Sequence, residues 1–176
     1  VPELAAKTAA AGVWNVPTES LIEHRVSDVS IAELSNRPEM LYMPAATVER
    51  WASIKQRQLD ERGFDARIGA RAIAVRRRII LSLHEAGARL LLGSDAPQVF
   101  NVPGFSLHHE LAFLVKAGLT PYEALQTGTT AAAEFFGTNA GSVTTGRDAD
   151  LVLLDANPLA DISNTRRVHG VMLRGT

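Results

Sequence analysis

The stretch Arg89-Leu90-Leu91-Leu92-Gly93-Ser94-Asp95-Ala96-Pro97 constrains the fold more than any other part of the chain. A short apolar run meets a Gly-Ser turn, and a carboxylate is delivered where the strand ends. Gly93 allows a tight turn, and Pro97 stops the strand from continuing. In barrels and open α/β sheets the residue just past the C-terminal end of a strand faces the reaction site. Asp95 is therefore a candidate metal ligand or general base. The plainer alternative is a turn aspartate that satisfies local backbone amides.

The flanking sequence has the alternating grammar of a parallel sheet or barrel. Leu4 to Ala11 is helix-competent and Gly12 closes it, before a short strand at Val13 to Val16. Leu21 to Met43, broken by Pro38 and Pro44, reads as short helical pieces and loop, in keeping with an insertion over one end of a scaffold. A helix is expected from Ala45 to Glu61, with Val48, Trp51, Ile54, Gln58 and Leu59 near helical spacing, and Gly63 interrupts it. Asp65 caps a longer helix through Ala86, whose apolar stripe is Ile68, Ala72, Val75, Ile79 and Leu83. Arg76-Arg77-Arg78 flanks that stripe and reads as a solvated face, with anion binding as the sharper alternative.

After Asp95 come a loop from Gln98 to Phe105 and a helix from Ser106 to Ala117 that Gly118 ends. Thr120-Pro121-Tyr122-Glu123 has the form of a capping box, opening a helix expected to reach about Phe136. Beyond Gly137 only two β-like runs remain, Asp150 to Asp155 and Val168 to Leu173. The expected organisation is an α/β part over residues 1–137 and a small β element over 138–176.

Composition narrows the function classes. The net charge is -1 across 176 residues, which does not serve a nucleic-acid or anionic-membrane partner. No apolar run approaches the roughly 20 residues of a membrane helix. Cysteine is absent, which excludes disulfides and thiolate metal sites. Both ends fall inside sequence that looks structured, so the expectation is a piece of a longer protein.

Several ordered motifs resemble the metal-dependent amidohydrolase superfamily, in its imidazolonepropionase-like and Xaa-Pro dipeptidase-like branch. They are Gly93-Ser94-Asp95-Ala96-Pro97, then Gly104 to Leu111, then Ala117 to Leu125, then Gly141 to Leu154 followed by Asn157-Pro158-Leu159, and Gly170-Val171-Met172. The resemblance implies the C-terminal part of a distorted (β/α)8 TIM-type barrel plus part of a small β-sandwich. Val13 to Val16 would be barrel strand seven, Leu90 to Gly93 strand eight, and Thr18 to about Arg62 an excursion over the active-site mouth. It implies a hydrolase acting on C–N bonds (amide or cyclic amide, or a dipeptide) through a metal-activated water. Asp95 would be metal ligand and general base, and the cofactor one or two divalent ions, with zinc favoured.

The departure from the family pattern matters as much as the match. Such enzymes also use an His-x-His pair, a strand-four lysine or equivalent, and two further histidines. Only Asp95 has a counterpart here, since none of His24, His84, His108, His109 and His169 makes an His-x-His. A zinc site takes about three or four ligands, so the chain by itself is expected to be catalytically incomplete. Gln98, Asn101 and His108 are candidates to line a substrate pocket, with Phe105 and Tyr42 as further wall or lid positions. Glu110 is read as a tie between its helix and the loop, His24 as a loop residue beside Glu23, and His84 and His169 as structural.

The expected partners are a small-molecule or dipeptide-like substrate and either further copies of the chain or a complementing chain. Two adjacent barrel strands leave edges and apolar faces uncovered. A non-catalytic half-barrel module that assembles or binds ligand with a partner chain is the alternative function. Localisation would be set by sequence upstream, with a cytoplasmic site slightly favoured.

Overall fold

The computed structural model describes residues 1–61 and 65–176, so the expected break at Gly63 and the end of the excursion near Arg62 lie outside the described residues. Helix α1 (Pro2–Ala10) leads to strand β1 (Trp14–Asn15). Then come α2 (Glu19–Val26), α3 (Ile31–Ser35), a 3-10 turn (Pro38–Tyr42), α4 (Ala45–Asp60) and α5 (Ala66–Glu85). Strand β2 (Arg89–Leu90) follows, then α6 (Phe105–Ala117), α7 (Pro121–Gly128) and α8 (Thr130–Phe136). The chain closes with β3 (Leu151–Leu154), a second 3-10 turn (Ile162–Arg166) and β4 (Val168–Met172).

The two short strands pair in parallel, Trp14 with Arg89 and Asn15 with Leu90, so the strand carrying the Asp95 turn has the parallel neighbour its setting requires. The ladder continues as the Leu91 amide donates to the Asn15 carbonyl at 2.9 Å. Two glycines let other backbone close in on this strand end. A Cβ on Gly93 would lie 2.6 Å from a Val16 methyl, and one on Gly128 would lie 2.6 Å from a Leu92 methyl. With Gly128 bare, α7 sits directly over the strand, and Thr127 accepts a hydrogen bond from the Leu92 amide at 3.1 Å.

The packing forms two cores. The first gathers Ile80, Leu90, Leu111, Leu114, Ala117, Leu119 and Ala124, and Ile162 from the C-terminal part joins it. The second, under the segment after β1, gathers Leu34, Met40, Trp51, Val99, Phe100 and Val102. Each Leu, Ile, Val, Met or Phe among them contributes about 1.5–3 kcal/mol on burial. β3 and β4 form a separate antiparallel pair. Among the described residues, no helix is long and apolar enough to cross a membrane.

Three expectations change. The helix beginning at the Thr120 capping box, which is present, does not run unbroken to Phe136. It divides at Thr129, whose backbone leaves the helical region beside Gly128. Of the expected α5 stripe only Leu83 packs against a core. Gly69, Ile73 and Ile80 point inward, whereas Ile68, Val75 and Ile79 remain exposed. Arg76 and Arg77 are not a solvated face either, because they turn onto carboxylates of α2, and only Arg78 stays exposed.

Candidate active site

The polypeptide reaches Asp95 through a strand end that is fixed on both sides. Ser94 is buried and its hydroxyl pairs with the Ser106 hydroxyl at 2.7 Å, at the start of α6. Asp95 itself is exposed, its backbone is left-handed at φ 54°, and its carboxylate has no hydrogen-bond or ion-pair partner among the described residues. Aspartate is one of the few residue types that adopt this conformation readily. The carboxylate therefore does not spend its oxygens on local amides, as a plain turn aspartate would.

The other expected pocket residues are dispersed. Gln98 is exposed on the loop and its carbonyl accepts from the Asn101 amide at 2.8 Å. Asn101, expected on the pocket wall, has no exposed surface and lies beneath the loop instead. Its Nδ2 donates to the Ser94 carbonyl at 2.6 Å and to the Ser20 hydroxyl at 3.3 Å. His108 lies against the C-terminal part, its Nδ1 3.0 Å from the Thr165 hydroxyl, and burial lowers its pKa, with Arg166 adding to the effect. Tyr42, in the 3-10 turn, lays its ring 5.0 Å from that of Phe105.

Behind the loop stands a polar assembly that the sequence did not disclose. Helix α2 buries Glu19, Ser20, Glu23 and His24, all polar. Its N-cap residue, Thr18, supplies no side-chain cap. Glu110 does so from α6, accepting from the Glu19 amide at 2.9 Å and the Ser20 amide at 2.7 Å. At the other end the buried Lys55 of α4 donates to the carbonyls of His24 at 2.8 Å and Ser27 at 3.2 Å. A negative charge at the N-terminus and a positive one at the C-terminus both complement the helix dipole. Between the ends, Arg76 pairs with Glu19 at 2.7 Å and Arg77 with Glu23. Burial pushes the Glu19 and Glu110 carboxyls up, opposed by Arg76 for the first and by the two backbone amides for the second.

His24 is thus a helical residue rather than a loop one. Its Nε2 lies 2.8 Å from an Arg37 nitrogen, and since a guanidinium can only donate, Nε2 accepts and the ring is neutral with its proton on Nδ1. Arg37 also reaches His109 Nδ1 at 3.4 Å, and His109 Nε2 meets Glu39 at 3.0 Å. Burial, then the positive charge of Arg37, pulls His24 down to about 3. Burial, then Arg166 and Arg37, pulls His109 down to about 4, against Glu39. His84 and His169 make outlying pairs with Glu123 and Asp155.

Among the described residues no three histidine, aspartate or glutamate side chains come together as a metal cage. Asp95 is a hard oxygen donor held open past a strand end, which fits one ligand position of such a site.

The chain belongs to the amidohydrolase family, whose model matches residues 2–176. Among solved structures it is similar to a bottromycin amidohydrolase, at 26% identity and TM-score 0.76, covering 97% of this chain and 37% of that one. A prolidase complexed with N-methylphosphonate-L-proline matches at 25% identity and TM-score 0.56, covering 100% of this chain and 37% of that one. A Xaa-Pro dipeptidase with bound methionine shares the fold at 23% identity and TM-score 0.59, covering 98% of this chain and 36% of that one. The chain spans little more than a third of the length of these structures. No curated protein matches it.

Proposed function

We propose that this chain is the C-terminal part of a metal-dependent hydrolase of amide or cyclic-amide bonds, with a small dipeptide-like molecule as substrate. β1 and β2 are read as barrel strands seven and eight, and residues 138–176 as a share of a β-sandwich. The observation that supports this best is the unengaged carboxylate of Asp95 at the C-terminal end of a parallel strand, within a chain matched to the amidohydrolase family from residue 2 to 176.

A divalent ion, zinc by preference, would supply Lewis acidity at the scissile carbonyl and lower the pKa of the attacking water. Asp95 would contribute one oxygen as a ligand and take the water's proton on the other. Returning that proton to the leaving nitrogen completes the cleavage, so the carboxylate ends as it began. Gln98, at the loop surface, would contact substrate. The remaining ligands would come from the rest of the protein.

The test is Asp95→Asn in the full-length protein, assayed by release of free amine from dipeptides and N-acyl amino acids. The amide can neither accept the proton nor bring a negative charge to the ion. Turnover is expected to fall by about 10³-fold or more, at the upper part of the range for a lost proton-transfer group. Retained turnover would refute the assignment. The alternative, a non-catalytic module completed by a partner chain, draws on the apolar side chains left exposed on β3 and β4, Val152, Leu153 and Val171 among them.

A further inference from the structure

We infer that Asn101 is a positioning residue for Asp95, and that the segment after β1 is the footing on which the Asp95 loop stands. The inference deepens the reading of Asp95 as a metal ligand and rests on it.

The loop from Asp95 to Asn101 holds two non-glycine residues in the left-handed region, Asp95 at φ 54° and Phe100 at φ 57°. For a bulky residue this is a genuine outlier, which persists only where the surroundings over-determine it. The surroundings here do so. Phe100 is buried, with its ring 6.0 Å from that of Trp51 of α4 in the second core. Next to it, Asn101 closes the loop twice. Its backbone amide binds the Gln98 carbonyl at 2.8 Å, and its side-chain amide binds the Ser94 carbonyl at 2.6 Å. The Ser94 carbonyl belongs to the peptide that carries the Asp95 nitrogen. Holding that peptide plane fixes the frame about which Asp95 turns, and with it the direction of the carboxylate.

The carboxamide of Asn101 is oriented in turn by α2. Ser20 meets its Nδ2. Its Oδ1 and the Nδ1 of His24 are both buried and otherwise unpartnered. They are complementary, because Arg37 leaves the His24 proton on Nδ1, a donor, while Oδ1 can only accept. Asn101 correspondingly acts to raise the pKa of His24, the sign expected of an acceptor facing the ring. The chain of contacts therefore runs from the segment after β1, through one fully buried amide, to the strand-end carboxylate.

The experiment uses the full-length protein and Zn²⁺ alone as probe, its dissociation constant read by competition with a chromogenic chelator. Outer residues that orient a ligand typically cost about 10–100-fold in metal affinity when removed. Asn101→Ala is expected to weaken zinc about tenfold or more, and Asn101→Ser, which keeps a donor hydroxyl, to recover part of that loss. Leu114→Ala, in the first core, supplies a destabilised control that leaves the tie intact, and should bind zinc within about twofold of the native protein. Native zinc affinity in Asn101→Ala, or an equal loss in Leu114→Ala, overturns the inference. If Asn101→Ala does not fold, Asn101→Ser decides: several-fold weakening supports the inference and unchanged affinity overturns it. Asp95→Asn separates the two levels. Should it bind zinc like the native protein, the reading of Asp95 fails and the inference falls with it. Should it lose zinc while the Asn101 variants do not, only the positioning role fails.

Discussion

Acidification should destabilise the fold through two histidines, His24 and His109, which contribute about equally down to about pH 5. The His24 ring accepts a hydrogen bond from Arg37 and stands beside His109, near the buried Lys55. A proton added to Nε2 would face the Arg37 guanidinium directly. Burial and these neighbours hold the folded pKa at about 3, against an ordinary 6.5. With the folded value depressed, the unfolded chain binds more protons below 6.5, so stability is full above that value and is lost as pH falls toward 3. Each pH unit in that window removes about 1.4 kcal/mol per group. At about pH 5 the loss is roughly 2 kcal/mol from His24 and about the same from His109, whose folded value is about 4. Against a total stability of about 5–15 kcal/mol, that is a large share. The assay is urea unfolding between about pH 7.5 and pH 5, followed by tryptophan fluorescence in a Trp14→Phe background, which leaves Trp51, packed on Phe100 in the second core, as the reporter. His24→Gln keeps an acceptor for Arg37 but has no ring to protonate, so its stability should fall by about 2 kcal/mol less over the same interval. Equal pH slopes in the native and His24→Gln proteins would refute the reasoning.

Arg76→Met should cost about 2–3 kcal/mol, because Glu19 has no exposed surface and would lose its cation, while Arg76 itself is partly solvated. The Glu19 carboxyl is already raised by burial, so this deficit should shrink at about pH 4 as the acid takes up a proton. A pH-independent deficit would point to packing instead of charge. The 176-residue chain on its own should associate, since Val13 and Val16 flank the free edge of β1 and Val152, Leu153 and Val171 stay exposed on the hairpin. Light scattering coupled to size exclusion measures this, and a monomer with a sharp thermal transition would contradict it.

The local grammar of the chain was legible where short-range chemistry decides it. Asp65 and Thr120 cap their helices, and the Gly93 turn follows a parallel strand, because each signal lies within a few residues of its effect. The polar support of the site was not legible. Glu110 and the amides it caps are 90 and 91 positions apart, and Arg76 and Arg77 meet carboxylates more than 50 positions away. Charged side chains are read as solvated by default, and only tertiary contact shows that Lys55, Glu19 and Glu110 are buried. The α5 stripe misled for the opposite reason. Its apolar periodicity is real, but the face turned inward carries Gly69, Ile73 and Ile80, and Arg76 and Arg77 beside it pair with α2. The break at Thr129 depends on Leu92 pressing against Gly128, a contact that helix propensity does not register.

Because α2 is held at one end by Glu110 and at the other by Lys55, the Asp95 turn cannot be moved to another scaffold as a short motif. A host would need to bring two further helices, with opposite charges at matched depths, along with the arginine pair of a third. The nine residues that announce the turn in the sequence are portable as text, but their geometry belongs to side chains scattered over nearly a hundred positions.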